Sequence, residues 1–365
     1  MTPRVINFLS VVLYFAVICI ILAKCYTKPS YNWDMLAYGA IILGDDDEGR
    51  SCVHARIYDI AEQEIPEAPY RMLVDTTHQL RKEVLRSPEK FHQFLSYFRV
   101  KPLYTGLAGF LYELGVPLTR ATVLPSLLSF LLLSILLFFR FARKFPYWIA
   151  GILGLSILCS PPVIEAARLS TPDALSTLIL MAAFIMYLNR TPWYWIAGFA
   201  ALSVLARLDN VIIASSLMVS LLFLPARDET RNVRPVVVVV VLAVFLAYTI
   251  FILKQAEYDH GFQVFYGGLL KKLNPVVLAG EAITGLNTLQ TSYIGIVGVG
   301  FVALFWRQGI SFRNMDIAQY LFVVVFLAFL VRYILFPDLS TRLFLSFYIL
   351  AWIFIAEALE GRLKS

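Results

Sequence analysis

Charge is what this chain has least of. Only 15% of its residues are Asp, Glu, Lys or Arg, against roughly a quarter in soluble domains. Histidine is scarcer still: His54, His78, His92 and His260 are scattered and lack metal-ligand spacing. The cysteines Cys19, Cys25, Cys52 and Cys159 also lack it. Cys25 and Cys52 are the pair able to meet in an oxidising compartment outside a membrane, and the reading preferred is that both are free thiols. No basic run is long enough to mark a nucleic-acid surface. The net charge of +6 is spread over short segments between apolar runs, so nucleic acid is not expected as a partner. No internal repeat or low-complexity linker stands out.

Apolar residues fill the space that charge leaves. They make up 59% of the chain, mean hydropathy is +0.72, and aromatics reach 15%. That composition is solvated by lipid, with aromatic side chains to anchor two interfaces. The reading is an all-α polytopic membrane protein forming a single domain over 1–365, with about ten spans. They are placed near 5–24, 122–141, 146–164, 172–189, 193–207, 210–225, 235–254, 292–306, 317–336 and 340–358. Val5 to Ala23 lacks a clear small-residue cleavage site after it, so it is read as a retained span. The segment 104–118, "YTGLAGFLYELGVPL", is shorter and carries Glu113; it is read as an interfacial helix.

The basic loops give an orientation. With Arg4 inside, "RFARK" (140–144), Arg190, "ARDETRNVR" (226–234), Arg307 with Arg313, and "EGRLKS" all fall on the same side. Both termini are therefore expected to be cytoplasmic. The outer face then collects a long loop at 28–103 and a second at 255–291. Within the first, "HQLRKEVLRSPEKFHQFL" (78–95) has apolar residues at helical spacing and predicts an amphipathic surface helix.

Charged residues recur at the outer ends of the spans. Asp34 follows the first, in "YNWDMLAY"; Lys101 precedes the short helix; Arg168 and Asp173 bracket one link, Arg207 and Asp209 another. Lys254 ends the seventh span and Arg342 opens the last. An ionisable group inside a span costs about 2.5–3.5 kcal/mol on insertion scales, so such groups are usually paired or functional. Their common side predicts a polar cavity open to the outside. Simpler roles stand beside this. In "STPDALS", Thr171 is placed to cap, Pro172 suits the first turn and Asp173 the dipole. "RLDN" fits a local ion pair, while Lys254 and Arg342 fit snorkelling cations. Asp45, Asp46, Asp47 and Glu48 fit a solvated loop or, as the weaker reading, a site for a divalent cation. Asp34, flanked by Tyr31, Trp33 and Tyr38, is the residue read as a general base.

In their order, "NWDMLAY", "KPLYTGLAGFLYELG", "LPSLLSFLLLSILLFFRFARKF" and "ARLSTPDALSTLILMAAFIMYL" resemble the GT-C superfamily of integral-membrane glycosyltransferases. The similar branch is that of protein O-mannosyltransferases and lipid A aminoarabinose transferases. The likeness runs from Asp34 to about Phe223 and takes the spans of 122–225 as the core. It departs from the family where Met35 follows a lone Asp34 and where Lys101 replaces the first proline of a "PPLY" element. The resemblance implies transfer of a sugar from a polyprenyl-phosphate carrier to a lipid, glycan or protein acceptor, outside a bacterial inner membrane. Asp34 would be the catalytic acid-base residue. Lys101, Arg168, Arg207, Lys254 and Arg342 would be candidates to meet the donor phosphate. Tyr38, Tyr104, Asp173 and Asp209 would support the site, with "DHGFQVFYGGLL" (259–270) offered to the isoprenoid tail. A transporter or flippase of a lipid-linked glycan would use the same cations, though the chain lacks the repeats such proteins show. A non-catalytic scaffold would tolerate neutralising them together.

Overall fold

The computed structural model describes residues 2–44, 50–74, 79–223, 234–255, 298, 317–335 and 341–363. It is all-α among those residues, apart from a single parallel bridge between Ser30 and Leu169. Among the described residues four helices are long and apolar enough to cross a membrane: α1 (Pro3–Thr27), α8 (Leu118–Ala142), α14 (Arg234–Gln255) and α15 (Ile317–Leu335). A fifth is made by joining α9 (Tyr147–Leu158) to α10 (Pro161–Arg168), bent by 66° across Cys159 and Ser160.

This is fewer than the ten or so expected, and the shortfall has a geometric cause. The expected segments 172–189, 193–207 and 210–225 become α11 (Asp173–Leu188), α12 (Trp193–Ala206) and α13 (Val211–Ser220). At 1.5 Å per residue such helices reach about 15–24 Å, short of the roughly 30 Å of hydrocarbon. The expected last segment opens with a 3₁₀ turn (Thr341–Phe344) before α16 (Leu345–Leu363). The segment 292–306, residues 256–291 of the second outer loop and most of 226–234 lie outside the described residues.

Of the long helices, α8 is central, with 61% of its apolar window buried against 11% for α1 and 17% for α14. It packs on α9, α10 and α11. Its hydroxyls serve the irregular link between α10 and α11. Ser126 donates to the carbonyls of Leu169 (2.9 Å) and Thr171 (3.0 Å), and Thr122 shares a hydrogen bond with Ser170 (3.0 Å). Backbone outside a helix is tolerated at membrane depth only when its polar groups are met in this way.

The expected outer loop folds as a helical lobe with its own apolar core. It comprises α2 (Trp33–Leu43), α3 (Arg50–Glu64), α4 (Glu67–Val74), α5 (Gln79–Arg86), α6 (Pro88–Arg99) and α7 (Pro102–Glu113). The single surface helix expected over 78–95 is divided. Pro88 starts a new helix and Ser87 caps it through the Lys90 N–H at 3.3 Å. Helix α6 then buries Phe91, Leu95 and Phe98 at helical spacing. Helix α7 buries Tyr104 and Ala108 while exposing Leu107, Phe110 and, just beyond its end, Leu114. It ends where Gly115, at φ +88°, lets the Val116 N–H reach back to the Leu111 carbonyl. The lobe also closes the start of α8: Glu64 accepts from the N–H groups of Leu118 (3.2 Å) and Thr119 (2.8 Å).

Inside the bundle, the Tyr14 hydroxyl of α1 donates to the Ser134 carbonyl at 2.8 Å. Its ring lies against Gly154, where an added Cβ would sit 3.0 Å from a ring carbon. Gly154→Val should therefore destabilise by about 1–3 kcal/mol through overpacking. Tyr14→Phe, losing one interhelical hydrogen bond, should cost only about 0.6 kcal/mol. Thermal unfolding in detergent should show the large and the small drop.

Candidate functional site

Helix ends that alternate along the chain converge at the seam between bundle and lobe. The link at 28–32 runs beside that at 168–171: the Ser30 N–H bonds the Arg168 carbonyl (2.9 Å), and Arg168 Nε donates to the Lys28 carbonyl (2.9 Å). Arg168 thus fastens two links to each other.

Three steps on, Asp173 opens α11 with its side chain only 2% exposed. Pro172 holds the cap position without a side-chain bond, and the Thr171 hydroxyl is buried without a partner. The expected Thr171 cap does not form. Asp173 takes its compensation from Arg207, which follows the last residue of α12. The same guanidinium grips Asp209 bidentately, through Nε and Nη2, both at 3.0 Å. This local pair was readable in "RLDN"; its second carboxylate was not. Asn210 completes the corner, donating to Ser176 Oγ (2.7 Å) and the Ser203 carbonyl (2.8 Å).

Arg332, in the last turn of α15, pairs with Asp209 from the other side and donates to the Leu343 carbonyl. Its guanidinium lies 6.0 and 5.8 Å from the ring centres of Phe329 and Phe344. This buried arginine was missed in the sequence. Its signal was a lone cation inside "YLFVVVFLAFLVRYILF", the placement that marks a functional or paired group. Burial works against the Asp209 charge, but Arg207 and Arg332 outweigh it and hold its carboxyl well below the usual carboxylate range.

Asp34 lies in the first turn of α2 and faces Arg342, Nη1 to Oδ2 at 3.3 Å. This contact is long and open, with side chains 24% and 40% exposed. Lys101 caps the start of α7 geometrically, its ammonium 4.7 Å from the Phe98 ring centre and 5.5 Å from that of Tyr38. It forms no ion pair with a described residue, although Asp34, Arg207, Asp209 and Arg342 are all within electrostatic range. Burial pushes its amine down to about 8. Tyr104 packs on Tyr38 with ring centres 4.7 Å apart and donates to the Thr122 carbonyl, pinning the start of α7 to α8.

Among the described residues the site thus gathers four cations, Lys101, Arg207, Arg332 and Arg342, around three carboxylates, Asp34, Asp173 and Asp209, one positive charge in excess. Arg168 is engaged with backbone beside it, and Lys254 is exposed near the end of α14. A cleft of about 430 Å³ opens beside Pro102, the residue after Lys101, and is lined by Ala40, Ile41, Leu95, Arg99, Pro102, Ile252 and Gln255. Asp45, Asp46, Asp47 and Glu48, and the tail segment at 259–270, lie outside the described residues. Among the described residues no cluster of three or more His, Cys, Asp or Glu could hold a metal ion, and the four cysteines are free thiols.

Two outcomes follow. Arg207→Met strands Asp173, leaves Asp209 to Arg332 alone, and should cost about 3–5 kcal/mol of stability; adding Asp173→Asn should recover part of it in detergent unfolding. An isoprenyl phosphate such as farnesyl phosphate keeps its charge above about pH 7. Any binding of such an anion that uses Lys101 should weaken as pH rises through about 8, where Lys101 loses its proton, and Lys101→Arg should abolish that loss. Comparison with family models, curated proteins and solved structures finds no match for this chain.

Proposed function

We propose that the chain is a glycosyltransferase that moves a sugar from a polyprenyl-phosphate carrier to an acceptor at the outer face of a bacterial inner membrane. The observation that carries this reading is one juxtaposition: a solvent-reachable carboxylate, Asp34, beside two cations that are not locked into the buried network, Lys101 and Arg342. The motif order that resembles the GT-C superfamily supports it, because Asp34 and Lys101 are the positions where that likeness implies base and phosphate contact. Both termini are read as cytoplasmic. In support, the basic residues Arg140, Arg143, Lys144 and Arg190 lie at the far ends of helices whose starts build the site.

The chemistry asks little of the protein beyond placement. The acceptor oxygen attacks the anomeric carbon while the bond from that carbon to the phosphate oxygen breaks, its electron pair leaving with the phosphate. Asp34 takes the acceptor's proton, and Lys101 and Arg342 meet the charge that grows on the leaving group. One displacement inverts the sugar carbon. The cleft beside Pro102 has the size for the first isoprenyl units, with Ala40, Ile41, Leu95 and Ile252 as apolar wall and Arg99 and Gln255 as polar lining.

The test is release of polyprenyl phosphate when purified protein is incubated with short-chain polyprenyl-phosphate sugars. Asp34→Asn should lower release by about 10²–10⁴-fold with its unfolding midpoint unchanged. Equal release from the variant would remove Asp34 from the reaction.

A further inference from the structure

The cations of the site fall into two groups with different freedom. Arg207 and Arg332 are nearly buried, with side chains 14% and 5% exposed, and each is held by carboxylates or backbone. They have little left to offer an incoming anion. Arg342 is different: among the described residues a single 3.3 Å contact to Asp34 holds it, and it rides on a short 3₁₀ turn. That turn is anchored one residue away, where Arg332 ties the Leu343 carbonyl to Asp209. The backbone is therefore fixed while the side chain is exchangeable.

Asp34 and Arg342 face each other through one long contact, so a group that draws the guanidinium away leaves the Asp34 oxygens without that partner. A phosphate group, with two or more free oxygens, offers that guanidinium a better bidentate partner than the contact it has. We infer that Arg342 is a ligand-exchanged counter-ion: it pairs with Asp34 when no ligand is bound, and a lipid-linked phosphate, the donor's diester or its monoester product, draws it off to sit with Lys101, leaving the Asp34 carboxylate unpaired and open to the acceptor hydroxyl. Arg332 is the positioning residue that keeps the turn in reach of both partners. This rests on the transferase reading for the use of Asp34, but the exchange itself is a property of binding.

Binding of farnesyl phosphate, measured calorimetrically in neutral detergent without any sugar donor, tests it by a double-mutant cycle. Asp34→Asn removes the competitor for Arg342 and should tighten binding by at least about fivefold. Arg342→Ala should weaken binding, and in that background Asp34→Asn should have no further effect. Arg332→Lys, which keeps the charge but loses the fork between Asp209 and the Leu343 carbonyl, should shrink the coupling. Unfolding midpoints identify any variant to be replaced by Arg342→Gln. An Asp34→Asn effect that persists without Arg342 would be plain charge relief and overturns the exchange, as does unchanged affinity or absence of binding. The same coupling seen with phosphatidylglycerol micelles and not with farnesyl phosphate would assign Arg342 to bulk lipid and overturn it too. Failure of sugar transfer alongside an intact cycle would instead sink only the transferase reading.

Discussion

Arg207 held between Asp173 and Asp209 is the constraint on which the outer end of this bundle depends. A charge taken out of water costs several kcal/mol unless its attraction and hydrogen bonds are nearly complete. Asp173 opens one helix, Arg207 ends another, and Asp209 lies in the turn that starts a third. Satisfying all three side chains fixes where those helices stop. That is why α11, α12 and α13 fall short of a membrane's thickness: their ends turn inward to a polar knot. Arg332 extends the knot to α15 and, through the Leu343 carbonyl, to the turn before α16.

The knot separates two kinds of charge within one small volume. Its own members are buried and paired with one another, so they set a steady field and a defined geometry. Asp34, Lys101 and Arg342 stand at its edge, contributed by the lobe and the last turn, with one weak contact among them. A site that must bind and release a charged ligand needs that division. Groups fully paired in the native state gain nothing from a newcomer, whereas loosely paired ones exchange at low cost.

Much of this was legible before the structure. Apolar composition and run length located α1, α8, α14 and α15, because uninterrupted hydrophobicity has one physical outlet. The gathering of Asp34, Lys101, Asp173, Arg207, Asp209 and Arg342 at one end was also readable, from charges that recur only at alternate span ends. What was not readable was length and partnership. Hydropathy sees where apolar residues run, not where a helix terminates on a buried ion pair, so 172–189 and 193–207 look like spans. Which carboxylate Arg207 chooses across 34 residues of sequence depends on how α11 and α12 pack. Arg332 was hidden in plain view, and Arg168 was assigned to a ligand when the nearest unmet acceptor was the Lys28 carbonyl.

The lobe gives the site its remaining wall, and its attachment explains how that wall stays in register. Glu64 caps α8, Tyr104 donates to the Thr122 carbonyl on the same helix, and the 28–32 link is bridged to 168–170. All three fastenings reach α8 or the link that α8 supports, so the lobe refers its position to the most enclosed helix of the bundle. Asp34 and Lys101 thereby inherit a fixed distance to the Arg207 knot, although neither forms an ion pair with it. Loops alone would leave those two residues free to drift by ångströms, enough to ruin a proton transfer. Building the outer wall from helices clipped to α8 confines motion to the one side chain, Arg342, whose contact is weak enough to give way.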